Sequence, residues 1–290
     1  MRAAPECYPC FLNQAIKTAR RTTSDPRRLK ALLDEVSAAL RSHPFDAAPP
    51  VISEGIYRII ARTTGVADPY RDLKRRCIRQ ALRIYPEVKK WVAARPDPLR
   101  AAVQAAIAGN VIDFGVAGEF DLAADVLALL DRPLAVDHYA DFRKCLARAG
   151  RVLYLGDNAG ETVFDRILIE ALDRPVAYAV RSAPIINDAL AEDAELSGLS
   201  RVVRVVETGC STPGTVLSHS TPAFRRLFRS ADLIISKGQG NFEALAESGR
   251  SLFFLLKVKC EVVARLARAP LGSLVLISQK RRKAKPAARP

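Results

Sequence analysis

Hydrophobic positions change their spacing about halfway along the chain. In the first half they recur every three or four residues, as in the stripe formed by Leu29, Val36 and Leu40, which is typical of an amphipathic helix. Asp25-Pro26 precedes that stripe, and an aspartate followed by a proline is a common helix start. The first half is therefore predicted to be helical, with helices near 11–19, 26–40, 52–60, 70–85, 98–108, 120–130 and 139–149.

The second half instead carries short runs rich in valine, leucine and isoleucine, separated by helical patterns. Strands that alternate with helices form a mostly parallel sheet covered by helices on both faces. We therefore expect an all-α helical domain at 1–147, packed as a cap over one end of the sheet, and an α/β domain at 148–278. Six strands are predicted, at 151–155, 176–180, 202–206, 233–236, 252–256 and 274–277.

The overall composition is that of a globular protein. The chain has 290 residues, of which 49% are hydrophobic and 26% charged. No stretch approaches the roughly 18 uninterrupted apolar residues of a membrane-spanning helix, and the first residues lack the apolar core of a secretion signal. We expect a soluble cytoplasmic protein without a membrane partner.

The net charge is +14, and six of the positive charges lie in the last twelve residues. The segment 279–290 contains six basic residues and no apolar periodicity, so it is predicted to be a disordered basic tail. Without it the net charge is +8, which suits an anionic substrate. Such a tail can contact nucleic acid through phosphates. The absence of a recognised binding motif or of an aromatic-studded basic groove argues against a nucleic acid partner.

The six cysteines are spread thinly, and only Cys7 and Cys10 form a close pair. In a chain of this length without a secretion signal, six scattered cysteines do not indicate a disulfide framework. One Cys-x-x-Cys pair supplies half of a tetrahedral metal site. Metal binding, a redox role and ordinary buried thiols all remain open for this pair.

The segment Gly-Asp-Asn-Ala-Gly-Glu-Thr at 156–162 follows the first predicted strand and precedes a helix. Ligands of open α/β sheets bind in the crevice beyond the carboxyl ends of the strands. Asp157, Asn158 and Glu161 offer hard oxygen ligands there, which suit a divalent cation that holds a phosphate. The segment fits neither a dinucleotide fingerprint nor a P-loop. The alternative is an ordinary turn in which Asp157 and Asn158 cap the helix.

Three further segments carry candidate chemistry. Asp188 follows the second predicted strand, as a second metal carboxylate or as a helix cap. Lys237 follows the fourth strand and precedes a Gly-x-Gly turn, so it can reach a phosphate that the turn's N–H groups also bind, unless it is simply a surface lysine. Asn110 and Asp113 lie in an apolar, glycine-bounded segment of the helical half, where capping is the alternative.

Taken in order, these segments resemble the damage-control phosphatase family, formerly domain of unknown function 89, and in particular its compact prokaryotic branch with an N-terminal Cys-x-x-Cys. The resemblance extends from residue 7 to about residue 278. The matching segments are 7–10, 68–70, 109–113, 157–161, 186–188, 213–215, 237–243 and 259–260.

The resemblance implies a Rossmann-like three-layer α/β/α domain preceded by a helical domain. It also implies metal-dependent hydrolysis of phosphate esters of small metabolites, either sugar phosphates or damaged phosphorylated metabolites. The family's metal ligands carry over to Asp157, Asn158 and Asp188, for Mn²⁺, Co²⁺, Ni²⁺ or Mg²⁺, and its phosphate-binding lysine to Lys237. These four residues are the expected catalytic set. Leu190 stands where the family has threonine, which changes the surroundings of the ligands.

Because Asn158 is neutral, the carboxylates of Asp157 and Asp188 balance a divalent ion, and an anionic substrate can then approach. Glu161, Asn110 and Asp113 are expected to position water or contact sugar hydroxyls. The residues expected to bind substrate are Asn110, Asp113, Glu161, Gly238, Gln239, Gly240 and Asn241.

Two other functions remain open. A Rossmann-like sheet with an acidic loop after its first strand also suits an S-adenosylmethionine-dependent protein carboxyl methyltransferase. Such an enzyme needs a glycine-rich loop shaped for its cofactor, whereas Asp157 and Asn158 fit a metal better. The second alternative, a nucleic-acid-binding protein, is indicated by net charge alone.

Overall fold

A computed structural model of the chain describes residues 1–44, 46–110 and 122–280, and for 122–125 it describes only the backbone. The first half is helical, as predicted. In two of its helices an aspartate caps the start and a proline follows it. The side chains of Asp25 and Asp97 accept hydrogen bonds from backbone N–H groups in the first turn of their helices. These helices are α1 (Cys7–Ala19), α2 (Pro26–Ser42), α3 (Pro49–Thr64), α4 (Arg71–Ala93), α5 (Pro98–Gly109) and α6 (Leu122–Leu130).

Strands and helices then alternate. The strands are β1 (Val136–Asp137), β2 (Val152–Leu155), β3 (Val176–Val180), β4 (Arg204–Glu207), β5 (Leu233–Lys237), β6 (Leu252–Lys257) and β7 (Leu274–Gln279). The helices between them are α7 (Tyr139–Arg148), α8 (Thr162–Leu172), α9 (Ala191–Leu196), α10 (Pro222–Ser230), α11 (Gly238–Leu245) and α12 (Glu261–Ala267), with single 3₁₀ turns at Ala159–Glu161 and Leu199–Arg201.

The strands form a single sheet in the order β1-β7-β6-β5-β2-β3-β4, and every neighbouring pair is parallel except β6 and β7. This confirms the predicted α/β fold with a mostly parallel sheet. All six predicted strands are present, whereas β1 is only two residues long and leaves no readable pattern. Since β2 pairs with β3 on one side and β5 on the other, the strand order reverses at β2, where such sheets bind ligands.

Three apolar clusters hold the molecule together. One covers a face of the sheet with α4, α5, α7 and α8, and a second covers the opposite face with α10, α11 and α12. The third lies among α1, α2 and α3. Helices α4 and α5 therefore form part of a layer on the sheet, rather than a cap over its end. The domain boundary at 147 stays a prediction. Residues on both sides of it share the core that covers this face of the sheet.

The last strand extends one residue into the predicted disordered tail. Gln279 is the last residue of β7, and its side-chain amide donates to the backbone carbonyls of Leu245 at 3.3 Å and Arg250 at 3.1 Å. The predicted tail therefore begins at least one residue too early, and 281–290 lies outside the described residues. Among the helices that are described, none is both long and apolar enough to cross a membrane.

Candidate active site

The loops that follow β2 and β3 are joined side by side beyond the sheet. Asn158 and Asp188 form an isolated antiparallel bridge. In it the Ala159 N–H donates to the Asn187 carbonyl and the Ala189 N–H donates to the Asp157 carbonyl, both at 2.8 Å. The three predicted metal ligands, Asp157, Asn158 and Asp188, thus lie on two adjoining segments at the point where the strand order reverses.

Asp157 is buried against a turn that has no room for a side chain. Its Oδ2 accepts hydrogen bonds from the amides of Asn110 at 3.1 Å and Asn158 at 3.3 Å. Burial, followed by the charges of Glu161 and Asp188, raises the pKa of Asp157 well above its usual range. Gly238 has a φ of +76°, and a Cβ there would lie 1.7 Å from Asp157 Oδ2. Glycine therefore allows both the turn and its close approach to the carboxylate.

Lys237 forms a buried ionic cluster with Glu161 and Asp165. Its Nζ donates to Glu161 Oε2 and to Asp165 Oδ1, each at 2.7 Å, and all three side chains are fully buried. Burial opposes the lysine's charge, but Asp165 and Glu161 outweigh this effect and raise its pKa above the usual value. The hydroxyls of Tyr154 and Tyr178 also donate to Asp165, both at 2.7 Å. The ammonium group predicted to reach a phosphate is thus held between two carboxylates.

Arg181 is a buried cation that the predicted site residues do not include. Its Nε donates to Asp188 Oδ2 at 2.8 Å, and its Nη1 donates to Thr215 Oγ1 at 3.0 Å. Burial opposes its charge, but Asp188 outweighs this effect and raises its pKa. Burial raises the pKa of Asp188, and Arg181 offsets part of that shift. Arg181 directly follows β3, as Lys237 ends β5. Its position at the carboxyl end of a strand is the signal in the sequence that could have identified it.

The buried charges around this point do not balance. Counted at their ordinary ionisation, the two buried cations Lys237 and Arg181 face four buried carboxylates, which is a formal excess of two negative charges. Burial and this excess together raise the pKa of Asp157, and either proton uptake or a bound cation relieves the excess. The charge of Lys74 opposes the rise in the pKa of Asp188, but Lys74 is itself paired with Asp68 and Asp193. The charge of Lys259, which is partly exposed, opposes the rise in the pKa of Asp157. The four carboxylates are those of Asp157, Glu161, Asp165 and Asp188.

The donors suit a divalent metal ion. Carboxylate and amide oxygens are hard ligands, and a divalent cation would neutralise two excess negative charges. The described parts of the chain contain no group of three or more His, Cys, Asp or Glu side chains placed to hold a metal ion. The predicted set contains only two carboxylates, Asp157 and Asp188, and its third member is the amide of Asn158. The chemistry of these residues therefore fits the ion that the resemblance implies.

Asn110 lies in direct contact with this group. Its Nδ2 donates to Glu161 Oε1 at 2.7 Å as well as to Asp157, and its Oδ1 accepts from the backbone N–H of Lys257 at 3.0 Å. The end of α5 is thereby tied both to β6 and to the two carboxylates. Asp113, the other candidate from this segment, lies outside the described residues.

The turn at 238–241 mainly holds loops together. The Asn241 amide donates to the carbonyls of Gly156 at 2.9 Å and Lys237 at 2.7 Å, and its Oδ1 accepts from the Thr215 N–H at 2.7 Å. Gln239 faces another loop, because its Oε1 accepts from the backbone N–H of Lys259 at 3.0 Å. A Cβ at Gly240 would lie 2.3 Å from the Pro213 carbonyl. Of these four candidates, Gly238 is the one in contact with Asp157.

Two further features singled out in the sequence are Leu190 and the Cys7–Cys10 pair. Leu190 has no side-chain oxygen to cap α9, and its backbone N–H donates instead to Asp193 Oδ2 at 2.9 Å. All six cysteines are free thiols. The pKa of Cys7 is raised, chiefly by burial, whereas reactive thiols have lowered pKa values. A metal or redox role for Cys7 and Cys10 stays open.

Comparison with known proteins identifies the family. The model of the damage-control phosphatase ARMT1-like domain matches residues 3–275. A damage-control phosphatase of Pyrococcus horikoshii is 34% identical over 287 residues, which cover 97% of this chain and 99% of the relative. One from Archaeoglobus fulgidus is 30% identical over 286 residues, 95% of this chain and 98% of the relative.

A solved structure agrees with these sequence matches. The crystal structure of a DUF89 family protein from Pyrococcus horikoshii has a TM-score of 0.89 and 34% identity to this chain, and the match covers 97% of this chain and all of that one. The resemblance indicated by the motifs is therefore confirmed. The chain belongs to the damage-control phosphatase family.

Proposed function

We propose that the chain is a metal-dependent phosphatase that hydrolyses phosphate monoesters of small metabolites, either sugar phosphates or damaged phosphorylated metabolites. A divalent ion would be held by Asp157, Asn158 and Asp188. The observation that carries the proposal is the excess of buried negative charge where β2, β3 and β5 end. An excess of this kind is costly unless a carboxylate takes up a proton or a cation binds, and a doubly charged ion would balance the four ionised carboxylates together with Lys237 and Arg181.

When bound, Mg²⁺, Mn²⁺, Co²⁺ or Ni²⁺ supplies neutralisation of phosphate oxygens and lowers the pKa of a coordinated water. The chain's own residues orient the ligands. Arg181 fixes the carboxylate of Asp188, and Asn110 fixes that of Asp157. Both contacts hold the side chains in place before substrate arrives, which favours catalysis because no reorganisation is then needed.

Lys237 and Glu161 would act together on the phosphate. Glu161 accepts from the amide of Asn158 at 2.6 Å through Oε1, while its Oε2 contacts Lys237. A phosphate bound near Asn158 would add its negative charge to that of the carboxylates. The positive charge of Lys237 would offset part of this sum. Asp165 acts as a positioning residue, since it holds the other side of the ammonium group.

The crevice beyond β2 gives no support to the methyltransferase alternative. A Cβ at Gly156 would lie 2.4 Å from the Tyr178 hydroxyl, and the Asn241 amide donates to the Gly156 carbonyl. The loop is thus packed with polar side chains rather than open for a large cofactor. For nucleic acid binding, net charge is still the sole argument.

The direct test is turnover of a panel of sugar phosphates and nucleoside monophosphates with each divalent metal and with excess chelator. We expect hydrolysis that requires metal and that Asp157→Ala abolishes without loss of folding. Asp34→Ala provides the matched control, because Asp34 is an exposed aspartate of α2 that pairs with Lys30 four residues away. Full turnover in the presence of chelator, or by Asp157→Ala, would overturn the proposal.

A further inference from the structure

We propose that Cys7, Cys10 and Cys260 bind a Zn²⁺ ion that joins the start of α1 to the loop after β6. The three thiols are called here the cysteine cluster. Cys7 is the first residue of α1, Cys10 lies three residues later in the same helix, and Cys260 directly precedes α12. The site goes beyond the proposed function, because none of the three belongs to the oxygen ligands expected to hold the catalytic metal.

Contacts between helices bring the cysteine cluster together. The Glu6 carboxylate, just before α1, pairs with Arg265 of α12, whose Nη2 lies 2.8 Å from Oε1. The start of α1 therefore lies beside α12, although the two helices are far apart in the sequence. On the other side, the Gln239 amide of α11 donates to Cys260 Sγ at 3.5 Å and to Glu243 Oε1 at 2.9 Å. Cys260 is thus held between α1 and α11.

Electrostatic effects show that the three thiols lie near one another and near Glu243. Burial raises the pKa of Cys10 above its usual value. The charges of Glu243, Cys260 and Cys7 each add to this rise. Burial is also the main cause of the raised pKa of Cys7, and Glu243 and Cys260 again contribute. Because such contributions fall with distance, the thiols and the carboxylate form one group, in which a cation would favour the ionised forms.

Hydrogen-bond donors are already directed at two of the sulfur atoms. The backbone N–H of Ala4 donates to Cys7 Sγ at 3.4 Å, and the Gln239 amide donates to Cys260 Sγ. A thiolate accepts such bonds more strongly than a thiol does, because hydrogen bonds to ionised groups are the stronger ones. Partners of this kind orient metal ligands from outside. Both contacts would therefore strengthen when the thiols ionise around a metal ion.

The chemistry of the cysteine cluster favours zinc. Thiolates are soft ligands, which select Zn²⁺ over the hard ions Mg²⁺ and Mn²⁺. Three thiolates fill three of the four positions of a tetrahedral zinc ion, and the fourth is open to water. Zinc displaces the protons of the thiols that it binds. A redox pair instead needs a thiol of lowered pKa, whereas the pKa values of Cys7 and Cys10 are raised.

Binding requires the sulfur atoms to move toward a common point, because the described residues contain no ready-made set of three metal-binding side chains. Cysteine has a single side-chain rotation that moves its sulfur atom, so a change of rotamer is the adjustment that we expect. Cys7 and Cys10 are well placed for it, since residues three apart are neighbours on a helix surface.

A zinc ion in the cysteine cluster would brace the candidate active site from outside. Gln239, which contacts Cys260, directly follows Gly238, the residue that packs against the carboxylate of Asp157. The backbone N–H of Lys259 also donates to Gln239. The ion would therefore hold the start of α11 against the loop after β6. Its expected role is structural.

The test uses Co²⁺ as a spectroscopic substitute for Zn²⁺ in the reduced full chain. Co²⁺ bound by thiolates gives a sulfur-to-metal charge-transfer band, which oxygen ligands do not give. We expect one such ion per chain, displacement of it by Zn²⁺, and loss of the band when any member of the cysteine cluster is changed to serine. Cys145→Ser is the matched control, because Cys145 is an exposed cysteine of α7. We expect it to keep the band.

Asp157→Ala separates this site from the proposed active site. We expect that variant to keep the charge-transfer band, whatever happens to its turnover, because its missing carboxylate is not a ligand of the cysteine cluster. Failure of phosphatase activity in every preparation would then contradict the proposed function and leave the zinc site standing. Loss of the band in folded Asp157→Ala would overturn the separate site.

Alkylation of the wild-type chain tests the assignment without relying on the folding of a variant. Cys10 and Cys145 are both exposed, so iodoacetamide should modify both in the metal-free chain. With Zn²⁺ present, we expect peptide mapping to show protection of Cys10 but not of Cys145. Absence of a charge-transfer band in the wild-type chain, or equal alkylation of Cys10 with and without Zn²⁺, would overturn the proposal.

Discussion

Lys237 has no exposed surface, and its ammonium group contacts two buried carboxylates. Removing one partner of a buried ion pair usually destabilises a protein by about 3–5 kcal/mol, because the remaining charge is left without a counterion. Here the loss of the lysine would leave both Glu161 and Asp165 unbalanced. The residue therefore serves stability as well as any action on phosphate.

We expect Lys237→Ala to lower turnover by roughly 100-fold or more, on the scale of one lost charge-stabilising donor. We also expect it to lower the free energy of unfolding by about 3–5 kcal/mol. Turnover and urea unfolding would be measured on the same preparation. Lys89→Ala is the control, since Lys89 pairs with Glu170 at the surface and should contribute less than about 1 kcal/mol. Wild-type stability in Lys237→Ala would contradict the buried cluster.

Gly238 offers a second test at this scale. We expect Gly238→Ala to abolish activity, because its Cβ would displace the carboxylate of Asp157. Gly249→Ala is the matched control, because Gly249 has a φ of +71° with nothing within 4 Å of an added Cβ. Both variants carry backbone strain of about 1–2 kcal/mol, so unfolding curves should show similar losses while turnover separates them. Equal turnover in the two variants would argue against the placement of Asp157.

At the scale of elements, α11 carries a glutamate that makes stability depend on pH. Burial raises the pKa of Glu243 from 4.5 to about 7, and a hydrogen bond from Gln239 opposes part of that shift. Between these two pH values the folded chain binds more protons than the unfolded chain. Its stability is therefore expected to fall as the pH rises through this window and to level off above it.

We expect Glu243→Gln to raise the free energy of unfolding by about 2 kcal/mol at pH 8 and to have little effect at pH 4. The figure is below that for the full pKa shift, because the side chain keeps partial contact with water. Urea unfolding at several pH values would show the difference between wild type and variant. A difference that does not change with pH would contradict the burial of an ionisable group in α11.

The elements that carry the site could be predicted because their signals are local. The apolar run that ends at Lys237 and the glycine that follows it mark the end of β5 and the start of α11. Asp165 has no such signal. It lies four residues after Glu161, so both acids project from neighbouring turns, but only the packing of α8 against β5 shows that they meet the same lysine. Likewise β1 is too short to leave a periodic pattern.

At the scale of the whole molecule, the sheet brings distant segments to one point. Asn110 from the end of α5, the loops after β2 and β3, and Lys237 from β5 are gathered where the strand order reverses at β2. The predicted order of strands and helices indicates this fold class and the edge of the sheet that binds ligands. It does not indicate that α4 and α5 cover a face of the sheet, because an amphipathic stripe does not specify its partner.

The end of the chain is expected to be dispensable for catalysis. Residues 281–290 have a composition that cannot bury a core, so a chain that ends at Lys280 should fold and hydrolyse phosphate esters as the full chain does. A chain that ends at Ser278 also loses the contacts of Gln279 and should be less stable by about 1 kcal/mol. Turnover and thermal unfolding of the two truncations would test this. Loss of activity in the chain ending at Lys280 would contradict it.

The measurement that tests the central claim most directly is equilibrium binding of Mn²⁺, followed by electron paramagnetic resonance of the free ion. We expect one ion bound per chain, competition by Mg²⁺, and loss of binding in Asp157→Ala but not in Asp34→Ala. This result would show that the excess negative charge beyond β2 and β3 is balanced by a divalent metal. No saturable binding in the wild-type protein, or equal binding in Asp157→Ala, would contradict it.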